Sequence, residues 1–217
     1  MAQLARAAAT PRSMEEVLSD VTTAAKELIP GADTAGVLLI GKGGKFESLA
    51  TTDDLPHKLD ELQVKYGEGP CVQVALDELI ARSDDFREEQ RWPRYSAAVA
   101  EMGVLSGLSF KLYTSERTAG ALNLFSFKVN AFDAEAETIG AVLAAHAAAA
   151  IMASRQEQQL ESALSTRDRI GQAKGIIMER YGVDDVRAFE MLRRLSQDSN
   201  TRLVDIAQRV IDTRGHE

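Results

Sequence analysis

Apolar residues recur at helical spacing in "SMEEVLSDVTTAAKELI", where Met14, Val17, Leu18, Val21, Ala25 and Leu28 share one face. Ser13 is placed to cap that helix, acids fill its first turn, and Pro30-Gly31 ends it. The period then changes. "DTAGVLLIG" is a short continuous apolar run, and "KFESLATT" alternates Phe46, Ser48 and Ala50 against Glu47, Leu49 and Thr51. With "KGG" at 42–44 as a turn, these two runs predict an antiparallel hairpin. "LPHKLDELQVKY" returns to a helical pattern and leads into the loop "GEGPC" at 67–71, then "CVQVALDE" and a strand-like "LIARS". "RWPRYSAAVAEMG" predicts a helix with Pro93 in its first turn, where the missing N–H has no partner to lose. Two longer strands follow at 104–114 and 119–128, joined by "SERT". Four or five antiparallel strands with flanking helices define an α+β domain over 13–152, and residues 1–12 read as a flexible N-terminal tail.

From Ala134 to Gly182 no convincing breaker interrupts the helical pattern, which predicts one connecting helix over 134–182, about 70 Å long at 1.5 Å per residue. Ile139, Leu143, His146, Ala150 and Ala153, then Leu160, Leu164 and Arg167, form a short coiled-coil-like seam suited to a homodimer. The 134–152 segment is also expected to lie on its own sheet. Gly140 and the polar stretch "SRQEQQLES" are the candidate hinges. Gly182 is a helix stop. Asp184 can cap a second helix with Ala188, Leu192 and Leu195 inward, helped by Phe189 and Met191. A third carries Leu203, Ile206, Ala207 and Val210. Residues 155–217 thus predict an all-α three-helix domain that shares the long helix with the first.

The net charge of −8 argues against a generally basic nucleic-acid coat. It is unevenly placed: from Arg155 onward 11 Lys/Arg balance 11 Asp/Glu, so the whole excess of acid lies in the first 154 residues. Cys71 is the single cysteine, which excludes an intramolecular disulfide and fits a reducing cytoplasm. The N-terminal residues lack the apolar core of a signal peptide, and no apolar run approaches the roughly 20 residues that span a bilayer. His57, His146 and His216 are scattered and no group has metal-ligand spacing, so neither a metal nor another cofactor is expected. Neither "GKGG" nor "GEG" matches a phosphate loop. The chain does not read as an enzyme.

The chemistry concentrates in "QAKGIIMERYG". Positions 170, 173, 177 and 181 face inward, Lys174 and Met178 edge that face, and Gly171 and Gly175 lie beside them. A mid-helix glycine costs about 1 kcal/mol relative to alanine. Either Gly175 allows close crossing by another helix, with Lys174 solvated, or a non-protein partner approaches the backbone there. Arg193, Ser196 and Asn200 add a polar stripe at i, i+3 and i+7 on the second helix, and Arg202 begins the third. Lys, Arg, Ser and Asn converging beside a Met suit splayed bases and phosphates.

These residues resemble the ANTAR domain, a three-helix RNA-binding module of bacterial antiterminators. The match runs through Ala173, Lys174, Gly175, Met178, Arg180, Ala188, Phe189, Leu192, Arg193, Ser196, Asn200, Leu203 and Ala207. The resemblance implies binding to paired stem-loops in nascent RNA, one per protomer of a dimer, which prevents a terminator hairpin. The RNA-binding candidates are Ala173, Lys174, Gly175, Met178, Arg180, Arg193, Ser196, Asn200 and Arg202. "GEGPC", "RWPRY", "SGLSFKL" and "GALNLFS" resemble a GAF domain. That implies a six-stranded antiparallel sheet, helices on one side and a small-molecule pocket on the other, with Cys71, Ser109 and Asn123 as pocket candidates. No universal ligand comes with the resemblance. The competing reading is a GAF ligand-binding or redox module whose helical tail only dimerises. Cys71 would be its thiol, although relatives that reduce a sulfoxide use several cysteines.

Overall fold

The computed structural model describes residues 12–40, 46–76, 78–115 and 118–213. The expected tail up to residue 11, the turn at 42–44, two residues of "SERT" and His216 lie outside them. Helix α1 (Met14–Leu28) starts at a reciprocal cap. The Glu16 N–H donates to Ser13 Oγ at 3.2 Å, and the Ser13 N–H donates to the Glu16 carboxylate at 2.9 Å. After it come β1 (Thr34–Ile40), β2 (Phe46–Leu49), α2 (Asp54–Tyr66), α3 (Pro70–Leu76), β3 (Ile80–Ser83), α4 (Pro93–Glu101), β4 (Ser106–Ser115) and β5 (Thr118–Ser126). Helix α5 (Ala134–Tyr181) is continuous over 48 residues, and α6 (Asp185–Asp198) and α7 (Leu203–Asp212) complete the chain.

The strands form one sheet in the order β2-β1-β5-β4-β3, every neighbour antiparallel. Five strands are present among the described residues rather than six. Alternation sorts their side chains. Ala35, Val37, Leu39, Leu108, Phe110, Leu112, Leu122 and Leu124 meet α1 and the first part of α5. Leu38, Ala121 and Phe125 point the other way, into a second core with Leu59 of α2, Cys71 of α3, and Tyr95 and Val99 of α4. Helices therefore cover both faces, not one. Small residues on the second face permit this. A Cβ on Gly36 would lie 2.9 Å from Pro56 Cβ, so α2 packs directly on the β1 backbone.

The stripe of α5 that meets the sheet is Ala136, Gly140, Ala144, Ala147 and Ile151. Ile139 and Leu143 pack at the edge of the same core, so the expected seam is already in use there. Gly140 is no hinge: its Cβ would fall 2.2 Å from Phe110 Cζ, so the helix backbone is pressed onto a buried ring. The exposed large apolar residues of α5 are Val142, Met152, Leu160, Leu164 and Tyr181. Among the described residues, α5 alone is long and apolar enough to cross a membrane by length and composition. Its apolarity is largely alanine, and its Ala136–Ile151 stripe is taken up by the sheet.

The chain divides into two compact units, one ending at Ser154 and the other beginning at Arg155. In the second, Ala173, Ile177, Ala188, Leu192, Ile206 and Ala207 form the core. Gly182 closes α5 at φ +64°, its N–H donating to the Met178 carbonyl at 3.0 Å. Asp184 caps α6 by accepting the Arg187 N–H at 2.8 Å. Tyr181 and Leu195, expected inside, are exposed. On α6 the inward line runs 188-192-196 in steps of four, which turns Ser196 toward the core and Leu195 outward. On α5 the inward line of 173, 176 and 177 stops one turn before Tyr181.

Candidate functional site

On α5, Gly175 is exposed, and a Cβ built on it would meet nothing within 4 Å; the same holds for Gly171. No helix of this unit crosses closely there, so the crossing explanation of Gly175 fails within the unit, and the helix backbone is left open to a partner from outside it, whether RNA or the helix of a second copy. Lys174 beside it is partly buried and pairs through Nζ with the Asp185 carboxylate in the first turn of α6. Phe189 is one turn beyond Asp185 and Arg193 one turn beyond Phe189, so Lys174, Phe189 and Arg193 belong to one side of the unit. Phe189, expected to support the core, is 39% exposed. Arg193 is exposed and makes no ion pair among the described residues.

The remaining candidates separate by role. Met178 is half-buried against the core and Arg180 is exposed. Ala173 is fully buried, which corrects its assignment as a contact: it packs α5 against Ala188 and Ala207 and offers no surface. Ser196 donates its hydroxyl to the Thr201 carbonyl at 2.6 Å, and Asn200 sits at φ +48°. These two shape the α6–α7 turn; Asn tolerates the left-handed conformation better than most residues. Arg202 grips Asp205 with two hydrogen bonds of 2.8 and 3.2 Å, and that carboxylate raises its guanidinium pKa. Ser196→Ala is therefore expected to lower the stability of the C-terminal unit by about 1 kcal/mol, read as faster amide exchange in α6 and α7.

Sequence reasoning missed a cleft of about 1080 Å³ along α5 that ends at Lys174 and Phe189. Arg155, Gln159, Thr166, Arg167 and Ile170 line it. They recur at nearly helical spacing, a signal that a search for charged as well as apolar stripes would have found.

The first unit holds a buried polar network on the α2–α4 face of the sheet. Ser109 and Asn123 are cross-strand partners, and Ser109 Oγ donates to Asn123 Oδ1 at 2.7 Å. Asn123 Nδ2 donates to Asp60 Oδ1 at 3.3 Å, as does Gln63 Nε2, and Ser48 Oγ donates to Asp60 Oδ2 at 2.7 Å. Gln63 Oε1 accepts the Cys71 N–H at 2.8 Å. Asp60 joins α2, β2 and β5, and burial pushes its carboxyl up to about 7, against the pull of Ser48, His57, Asn123 and Gln63. Asp60 and Gln63 escaped the sequence reading because acid and amide residues on an otherwise amphipathic helix read as surface. The predicted pocket residues Cys71, Ser109 and Asn123 are brought together here, each fully buried. None lines the nearby pocket of about 440 Å³, which Asp60 and Ser48 reach instead.

A family profile for the GAF domain matches residues 11–152, and one for the ANTAR domain matches residues 158–211. The chain belongs to the GAF–ANTAR family. No curated protein matches it significantly. Among solved structures, a domain assigned to a two-component sensor histidine kinase from Sinorhizobium meliloti 1021 aligns with TM-score 0.56 at 16% identity, over 70% of this chain and 99% of that one. The GAF domain of a phosphoenolpyruvate-protein phosphotransferase from Coxiella burnetii aligns with TM-score 0.54 at 21% identity, over 72% and 93%. The Stigmatella aurantiaca phytochrome photosensory core module gives 0.56 at 13% identity, covering 85% of this chain but 42% of its own. These likenesses concern the fold.

In the GAF domain the structure explains why two separate sequence stretches matter together. Glu68 of "GEGPC" accepts Arg94 Nε at 2.6 Å and the Arg94 and Tyr95 N–H groups at 3.0 and 3.4 Å. It thereby caps α4, which Trp92 cannot do with its own side chain. These bonds, Arg94 first, hold its carboxyl below the usual range. Gly69, at φ +133°, leaves room for Gln63, whose Oε1 would lie 2.5 Å from any Cβ there. Cys71 is fully buried, and burial and the Asp60 charge push its thiol well up, which keeps it protonated and a poor nucleophile.

Proposed function

We propose that this GAF–ANTAR protein is an antitermination regulator that binds paired stem-loops in nascent RNA through its ANTAR domain, under control of a small molecule held by its GAF domain. The bare helix backbone at Gly175, flanked by Lys174 and with the exposed Arg193 on the same side of the unit, carries this reading. A glycine that accommodates nothing within its own unit fits a partner that must come close to the backbone. The reading of a redox module with an inert helical tail is weakened by the buried, protonated Cys71.

Competition binding with a short stem-loop RNA tests the proposal. Arg193→Ala and Lys174→Ala are each expected to cost about 1–3 kcal/mol of binding, the scale of base-directed contacts, with little change in thermal midpoint for Arg193→Ala. Arg193→Ala is expected to show the largest loss, because Lys174 and Arg202 already hold the Asp185 and Asp205 carboxylates. Parent-like affinity in both variants would show the face to be misassigned.

The proposed assembly is a parallel homodimer. Leu160 and Leu164, 62% and 54% exposed and one turn apart, are its apolar contacts within the ANTAR half of α5. Leu160→Glu is expected to move the protein toward monomer in sedimentation without unfolding it. Leu143→Glu is not an equivalent test, because Leu143 packs on the GAF core. A parent chain that sediments as a monomer at tens of micromolar, with and without RNA, would rule the dimer out.

A further inference from the structure

The pocket beside Asp60 has a definite chemistry. It lies between β2 and α2, with Leu38, Phe46 and Val64 as apolar walls and Asp60 as its most deeply buried polar group, 2% exposed. Every hydrogen bond to the Asp60 carboxylate comes from a neutral donor: the Ser48 hydroxyl and the Asn123 and Gln63 amides. Both amide contacts are long, at 3.3 Å. Among the described residues no Lys or Arg pairs with Asp60. The charged and titratable groups facing it are His57 and Glu61 of α2, themselves paired at 3.7 Å, with Cys71 of α3 and Tyr95 of α4. Lys65, which also lines the pocket, places its Nζ 5.1 Å from the Tyr66 ring centre. A buried carboxylate without a cation is costly, so its counter-charge must be a proton or a ligand.

The walls say which ligand. A bare metal ion needs several ligands held together, and among the described residues no group of three or more His, Cys, Asp and Glu side chains is placed to hold one. An anion would face Asp60 and Glu61 together. An organic cation uses everything present: its N–H groups meet Asp60, its body meets Leu38 and Val64, and Phe46 supplies an aromatic face of the kind that attracts cations. A volume of about 440 Å³ suits a small metabolite. We infer that the pocket binds a small organic cation, an ammonium or amidinium group on a compact apolar body, with the charged nitrogen on the Asp60 carboxylate. This rests on the reading of the GAF domain as a small-molecule sensor and names the class of signal.

Three probes of one shape and different charge test it on the full chain: benzamidine, benzamide and benzoate, titrated calorimetrically at pH 8 and pH 6. Benzamidine is expected to bind at least tenfold more tightly than the other two at pH 8. Its affinity is expected to fall roughly tenfold at pH 6, because the carboxyl titrates near 7 and only its ionised form takes the cation. Asp60→Asn is expected to lose benzamidine binding at both pH values while still unfolding cooperatively by Trp92 fluorescence. The charge series stands without the variant should Asp60→Asn fail to fold. Tighter binding of benzamide or benzoate overturns the cation while leaving a sensing pocket. Binding of none of the three, or undiminished benzamidine binding by a folded Asp60→Asn chain, overturns the site. The stem-loop measurement on Arg193 is independent of all these outcomes.

Discussion

Gly140→Ala and Gly175→Ala, the same substitution on the same helix, are expected to move stability in opposite directions. At Gly140 the new methyl would fall 2.2 Å from Phe110 Cζ, and that ring is 2% exposed in the middle of the first core. Either the ring leaves its rotamer or α5 lifts from the sheet, and overpacking of this kind costs about 1–3 kcal/mol. At Gly175 a methyl meets nothing within 4 Å, so the gain in helix propensity, about 1 kcal/mol, is realised in full. Urea unfolding followed by Trp92 fluorescence reads the first effect, since Trp92 lies in the GAF core. Amide exchange across α6 and α7 reads the second. The two should separate further in RNA binding: Gly175→Ala gains stability and loses affinity, as expected for a glycine kept for a ligand's approach. A stabilised Gly175→Ala chain with full affinity would mean that the RNA does not reach this backbone.

Asp60→Asn is expected to stabilise the GAF domain at pH 8 by roughly 2–4 kcal/mol and to remove much of its pH dependence. In the folded chain burial raises the Asp60 carboxyl from an ordinary 3.8 to about 7. Between those values the folded state holds a proton that the unfolded state has released, so stability falls as pH rises through the window and levels off above it. Each pH unit of separation corresponds to about 1.4 kcal/mol, and an isosteric amide avoids the loss. The asparagine oxygen can still accept from Asn123 and Gln63, and its amide can donate to the Ser48 hydroxyl. Denaturant midpoints from pH 5 to pH 8 should therefore diverge between parent and variant. Parallel curves would show that Asp60 titrates normally. A bound cation acts in the opposite sense, holding Asp60 ionised, and should flatten the parent's curve toward that of the variant.

Periodicity alone made the long helix, both C-terminal helices and the paired strands legible, because each depends on neighbours a few residues apart. Ala134 to Tyr181 contains no proline, so nothing local stops the helix before Gly182. Local spacing also put Lys174 beside Gly175 and Arg193 in a polar stripe. It could not say that Ser196 and Asn200 are held by the turn that follows them, since that depends on where Thr201 comes to lie. Nor could it tell Gly140 from Gly175. Gly140 and Gly175 share the same local signal, and only the position of Phe110, 30 residues earlier on β4, makes one of them a packing contact. Asp60 shows the same limit most clearly. Its acid on an amphipathic helix reads as solvent-facing, yet Ser48, Gln63 and Asn123 converge on it from two strands and its own helix. The sequence determined which elements form and which residues carry charge. The tertiary structure decided which charges lose their water, because desolvation depends on the neighbours a fold assembles from distant parts of the chain.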